Sequence, residues 1–269
     1  MADIDLYALA RRALLDALDA LGPQRKAVIL CGAQAIYLHI GEADFAVSPY
    51  TTDADLMLTP GRLSRDPPLA AVLEEAGFRS TSQPGIWHSR DGIEVDLLVP
   101  EALGGGGRRG ARLGPPHGDR VARKVRGLEG VLADNAIMQI GSLEPGDHRR
   151  FKIAVAGPAA LLVAKLHKIA ERSEVRVSRL GDKDALDALR ILRAVPTDAL
   201  ANTIVTLRTT SLSREVTLQA MEILRTYFAQ ETATGTQMAV RATEGLEDPA
   251  FVAASCTALA SDLLTVVQS

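Results

Sequence analysis

The first hydrophobic pattern along the chain is helical. Leu6, Leu9, Leu14, Leu18 and Leu21 recur near one side of residues 4–21, and Gly22-Pro23 stops the run. Residues 27–31 are instead a continuous apolar stretch of strand length, broken by Gly32. Ala33, Ile36, Tyr37 and Ile40 then return to the helical period, which predicts strand, glycine turn and helix. After a loop over 41–50, residues 53–59 alternate, with Asp53, Asp55, Met57 and Thr59 on one face and Ala54, Leu56 and Leu58 on the other. A helix is predicted over 69–76, ended by Gly77, and short strands over 78–81 and 86–88 lead into a third alternating strand at 93–99. Residues 128–133 and 136–140 flank Asp134-Asn135, a pair suited to a tight hairpin turn, and 151–155 add another strand. Gly157-Pro158 opens a helix with proline in its first turn, where a missing donor costs least. From there the pattern is helical to the end, with later helices beginning near Thr197, Ser213, Thr236 and Asp248. The expectation is a mixed α/β sheet domain over 1–156 and a helical domain over 157–269.

The alternation matters because it gathers carboxylates. Asp53 and Asp55 leave the same face of their strand, where two like charges repel unless a cation sits between them. In the third strand Glu94 and Asp96 share a face, so Asp96 can join the pair, and Glu94 can stand in for it. Magnesium or manganese prefers a few carboxylate oxygens plus substrate phosphates, and two ions roughly 3.5–4 Å apart can activate an attacking hydroxyl and stabilise a leaving oxygen. The strand–Gly32–helix turn adds a second half. A glycine lets the backbone approach a ligand, and the helix start at Gly32, Ala33 and Gln34 offers N–H groups and a positive dipole end to a phosphate.

Gly32-Ala33-Gln34-Ala35, then Asp53-x-Asp55, then Asp96 resemble the nucleotidyltransferase fold of the DNA polymerase β superfamily. Lys165-Leu166-His167, Arg172 and Lys183-Asp184 followed by Asp187 resemble the lysine, arginine and basic-aspartate-x-x-aspartate pattern of the AbiEii-type nucleotidyltransferases, which are commonly toxin halves of type IV toxin–antitoxin pairs. The resemblance spans residues 27–193. It implies a nucleotidyltransferase-fold mixed β-sheet with flanking helices, to which the helical pattern adds a C-terminal helical bundle. It further implies a nucleoside triphosphate as co-substrate, Asp53, Asp55 and Asp96 as metal ligands and catalytic residues, and Lys165 on the nucleotide phosphates. Asp184 is a further catalytic residue by the same token, RNA or a tRNA end an acceptor, and a cognate antitoxin a partner. Two features depart from the pattern: Ala33 stands where glycine or serine is usual, and Tyr50-Thr51-Thr52 stand where an arginine often precedes the Asp-x-Asp. They motivate an alternative, a non-catalytic nucleotide-binding or regulatory protein that keeps the fold. A protein or small-molecule acceptor is the other alternative.

Lys165, Lys168 and Arg172 fall beside the Leu162, Leu166, Ile169 stripe, and Asp184 and Asp187 fall away from the Leu186, Leu189, Leu192 stripe. Structural ion pairs among these charges are the competing reading, favoured for Lys183. Composition then narrows the picture. The 269 residues are 47% hydrophobic and 4% aromatic, so the core is built of Ala, Leu, Val and Ile, and a net charge of −3 gives nucleic acid no global attraction. A local attraction exists: glycines 104–107 precede a stretch to Arg126 that holds six arginines and Lys124 against Asp119 alone. It reads either as a mobile basic loop that neutralises nucleic-acid phosphates or as a solvated insertion, since stacking aromatics are absent. Cys31 and Cys256 suit buried thiols in a reducing compartment, and neither a secretory start nor an uninterrupted apolar stretch of about 18 residues is present, so a soluble cytoplasmic protein without membrane contact is expected. The five histidines show no ligand spacing, Trp87 is expected to pack in the sheet, and neither a Walker loop nor a Gly-x-Ser-x-Gly elbow occurs.

Overall fold

The structure is a computed structural model that describes residues 6–41, 51–175 and 179–268. The expected loop over 41–50 lies outside these apart from Gly41, as does the expected start of the first helix at Ile4. The described residues fall into two compact units. One carries every described strand with the first and third helices; the other takes the later part of the second helix, Arg126–Asp134 and the helices after Gly157. The second unit thus also takes two short segments that precede residue 157 in the chain.

In the sheet unit, helix α1 (Leu6–Leu21) buries Ala10, Leu14, Leu18 and Leu21 but leaves Leu6 half exposed. Strand β1 (Val28–Cys31) is buried on both faces and runs straight into α2 (Gly32–Ile40). The other strands are β2 (Asp53–Leu58), β3 (Arg79–Ser80), β4 (Ile86–His88), β5 (Glu94–Pro100), β6 (Arg123–Val125), β7 (Asn135–Gly141) and β8 (Arg150–Ala156), with α3 (Leu69–Glu75) between β2 and β3. They form one mixed sheet in the order β3-β4-β5-β2-β1-β8-β7, with β6 joined to β5. Beneath it α1 packs on β2, β5 and α3. Trp87 is buried in β4 and donates its indole N–H to the carbonyl of Val121 at 3.0 Å, so its polar edge is satisfied where its ring packs.

One expected element is absent. Residues 129–132 form a 3-10 turn rather than a strand, and β7 pairs antiparallel with β8, so no hairpin turns at Asp134-Asn135. Asp134 is used otherwise: its carbonyl accepts from Gly157 N and its carboxylate from Ala160 N, which satisfies orphan donors at the start of α4 (Pro158–Val175).

The helical unit continues with α5 (Arg179–Ala194), α6 (Thr197–Thr209), α7 (Arg214–Phe228), α8 (Thr234–Ala242) and α9 (Pro249–Gln268). Helix α4 packs on α5, α6 and α7, and α9 on α6, α7 and α8. Helix α9 is long and apolar enough to cross a membrane by length and composition, with a mean hydropathy of 1.8, although Ser255, Ser261 and Asp262 interrupt its apolar run. A bundle helix passes the same test, and Val252, Cys256, Ala260 and Leu263 are buried within the bundle.

Candidate active site

Strand β2 lies parallel to β5 in a register that sets Asp53 beside Glu94 and Asp55 beside Asp96. Paired residues of a parallel ladder point to one side, so four carboxylates share one face of the sheet. Asp55 and Asp96 are buried, at 8% and 4% exposure, whereas Asp53 and Glu94 are half-buried. Gly32 explains how Asp55 is accommodated. Its φ is +65°, and a Cβ there would stand 1.8 Å from Asp55 Oδ2, so the carboxylate lies directly on the backbone that opens α2. Asp53 is held by its neighbours: Thr51 donates its hydroxyl to the Asp53 carboxylate, and Gln34 donates from Nε2 to the Asp53 carbonyl at 3.0 Å.

Arg123, on β6, donates to Asp96 Oδ2. Burial pushes the Asp96 carboxyl above the ordinary carboxylate range, Arg123 pulls it back, and Glu94 and Asp53 push it up further. Burial likewise works against the Arg123 cation, but Asp96, Asp55 and Glu94 outweigh it and hold its proton more firmly than usual. The other oxygen, Asp96 Oδ1, is buried without a hydrogen-bond partner. An orphaned carboxylate oxygen beside other carboxylates is the chemistry that a divalent cation satisfies, so the donor types, though not their present spacing, suit magnesium or manganese. Among the described residues no three His, Cys, Asp or Glu side chains converge into a metal-binding group. The sequence-predicted ligands Asp53, Asp55 and Asp96 thus share one face of the sheet without converging on a point.

Lys165 and Asp184 belong to the helical unit. There Lys165 is buried between Asp184 at 2.8 Å and Asp187 at 2.7 Å, with Arg172 on Asp184 and Arg190 on Asp187 at 3.2 Å. Burial opposes both charges of the central pair, yet the neighbours win: Lys165 is raised above the ordinary lysine range, and Asp184 is lowered by Lys165, Lys168 and Arg172. Asp184 and Asp187 are 3% and 4% exposed although they lie off the leucine stripe, because α4 brings cations to meet them. Gln34 is also fully engaged. It accepts from Arg11 Nε at 2.9 Å and donates to the carbonyls of Ala10 and Asp53, tying α1, α2 and β2 together.

A family model described as Nucleotidyltransferase matches residues 10–203, most of the chain. The chain belongs to this family. No curated protein matches it. Among solved structures it is similar to an antigenic nucleotidyltransferase-like protein from Paracoccidioides brasiliensis, at 18% identity and a TM-score of 0.38, over 80% of this chain and 93% of that one. The chain is a nucleotidyltransferase by that family match alone.

For this nucleotidyltransferase, sequence reasoning missed Arg123. It belonged to a basic stretch read as one unit, and only the pairing of Leu98 with Arg123 across β5 and β6 carries its guanidinium to Asp96. The glycine tract is also put to a different use from flexibility. A Cβ on Gly104 would meet the Lys124 side chain at 2.3 Å, and Lys124 Nζ donates to the carbonyls of Gly105 at 3.0 Å and Gly107 at 2.6 Å. The tract is a bed for a cationic side chain, and the segment is pinned to the sheet rather than looping freely.

Proposed function

We propose that this chain transfers a nucleoside monophosphate from a nucleoside triphosphate to an acceptor, with magnesium or manganese held by Asp53, Asp55 and Asp96. One observation carries the reading: the β2–β5 register aligns four carboxylates on one face, at the glycine turn that opens α2. A bound divalent ion would supply Lewis acidity and charge neutralisation for the phosphates. The chain supplies the rest. Gly32 and Ala33 offer backbone N–H groups to the triphosphate at a helix start, Gln34 fixes the backbone of Asp53, and Arg123 keeps Asp96 compensated. Lys165 and Asp184 neutralise each other inside the helical unit, and we assign them to holding α4 on α5.

RNA, including a tRNA end, is the acceptor we favour, on the strength of the AbiEii-like pattern and the basic segment. A cognate antitoxin and a cytoplasmic, membrane-free setting belong to the same reading. A second reading, a nucleotide-binding protein without turnover, is favoured by Arg123, which already supplies Asp96 with a cation. The test is incubation with magnesium or manganese, each labelled nucleoside triphosphate, and total RNA or total protein. Label in RNA that is lost in Asp53→Asn and Asp55→Asn is the expected result. Label in protein would move the acceptor and keep the reaction, and nucleotide binding with no label in either polymer or in small molecules would establish the second reading.

A further inference from the structure

The basic stretch divides in the structure. Arg123 is committed to Asp96, Arg126 to Glu215 and Gln219, and Lys124 to backbone carbonyls. The remaining arginines, Arg108, Arg109, Arg112 and Arg120, gather around one concavity of about 750 Å3 in the sheet unit, walled also by Pro84, glycines and Asp119. This is the size range of a small-molecule or oligomer-segment site. Arg120 donates to the carbonyls of Ser82 at 2.9 Å and Thr81 at 3.4 Å, contacts that leave its charge unopposed. Among the described residues the guanidinium groups of Arg108, Arg109 and Arg112 make no ion pair or side-chain hydrogen bond, Asp119 included. Arg12 and Arg149 of the same unit, by contrast, each sit on two carboxylates.

The walls are built rather than loose. Lys124 N donates to the Arg109 carbonyl at 2.8 Å, Arg112 N to Gly104 at 2.8 Å, Ala111 N to Ala122 at 3.0 Å and Gly85 N to Arg120 at 2.9 Å. Gly110 packs so tightly that a Cβ would stand 2.0 Å from the Asp119 carbonyl oxygen, and the Arg112 stem lies along Gly105. Four like charges held in one hollow repel one another, and anions in the hollow relieve that repulsion. Planar guanidinium forks bind phosphate oxygens in pairs, and exposed glycine backbone lets a phosphate approach closely.

We propose that this hollow is a phosphate site distinct from the carboxylate face, taking a ligand that carries several neighbouring phosphate groups. The inference does not rest on the proposed transfer reaction. A free polyphosphate and a stretch of nucleic-acid backbone share this chemistry, and the experiment separates them. The full chain is titrated in EDTA, which silences metal-dependent nucleotide binding, with inorganic tripolyphosphate by calorimetry and with a labelled eight-nucleotide oligouridylate by anisotropy. Both are repeated at 50 and 200 mM salt and with Arg108→Gln/Arg109→Gln/Arg112→Gln. The wild type binds at least one probe, and the triple variant loses roughly tenfold or more in affinity with a shallower salt slope. A second variant, Arg108→Glu/Arg109→Glu, spares the packed Arg112 stem and shows the same loss if the triple variant folds poorly. Tripolyphosphate alone binding identifies a free polyphosphate, and oligouridylate displaced by tripolyphosphate identifies a backbone. Failure of both probes to bind the wild type at 50 mM salt, or wild-type affinity in the charge-reversed variant, overturns the proposal whether or not transfer is found.

Discussion

At position 32 any side chain would collide with the carboxylate that the turn supports. Gly32→Ala combines a positive φ with a Cβ 1.8 Å from Asp55 Oδ2, and should cost roughly 2–4 kcal/mol of unfolding free energy, read by urea denaturation. Asp55→Ala in that background should recover part of the loss by removing the clash. Arg123 offers a second test. Arg123→Gln leaves Asp96 buried without its counter-charge, a loss of roughly 1–3 kcal/mol at pH 7 once the 31% exposure of the arginine is allowed for. The Asp96 carboxyl is already raised in the folded state, so its ionised form opposes folding, and that opposition disappears as pH falls through the folded pKa. Denaturation curves of variant and wild type should therefore converge on acidification; a gap that widens toward acid would contradict the assignment.

Among the elements, α4 and α5 are joined by a buried charge cluster as well as by leucines. Lys165→Met leaves Asp184 and Asp187 leaning on Arg172, Arg190 and the more distant Lys168, and should destabilise the chain by roughly 2–4 kcal/mol. The lowered Asp184 contributes stability that is present above the ordinary carboxylate range and lost as pH falls through its folded value. The raised Lys165 contributes stability that is full below the ordinary lysine range and lost as pH rises through its own. The deficit of Lys165→Met should therefore be flat between about pH 5 and 9, measured by denaturation midpoints at several pH values. A deficit that peaks near neutrality would point to a different titrating partner. The elements themselves were largely legible, because period two and period 3.6 are local signals; the failed hairpin shows their limit, since Asp134-Asn135 reads as a turn only until its carboxylate is needed at the start of α4.

For the molecule as a whole, a nucleotide with manganese should raise the unfolding temperature, since ligand at a hundred times its Kd adds about 2.7 kcal/mol. The shift should vanish in Asp53→Asn and Asp55→Asn and survive in the arginine variants of the hollow, as read by differential scanning fluorimetry. The sequence by itself determined the glycine turn, the strand that carries Asp53 and Asp55 on one face, and the switch to helices at residue 157. Each follows from residues within one or two turns of each other. Tertiary structure decided what those residues meet. Asp55 stands beside Asp96 because β2 lies parallel to β5 in one register, and Arg123 reaches Asp96 because β6 adds to β5. Asp184 is buried because α4 supplies cations across the helix pair, and four arginines share a hollow because Gly110 and Arg123 bridge two arms of a folded-back segment. Charge carries no periodicity that announces its partner, so a desolvated ion and a solvated one look alike until the packing that pairs them is known.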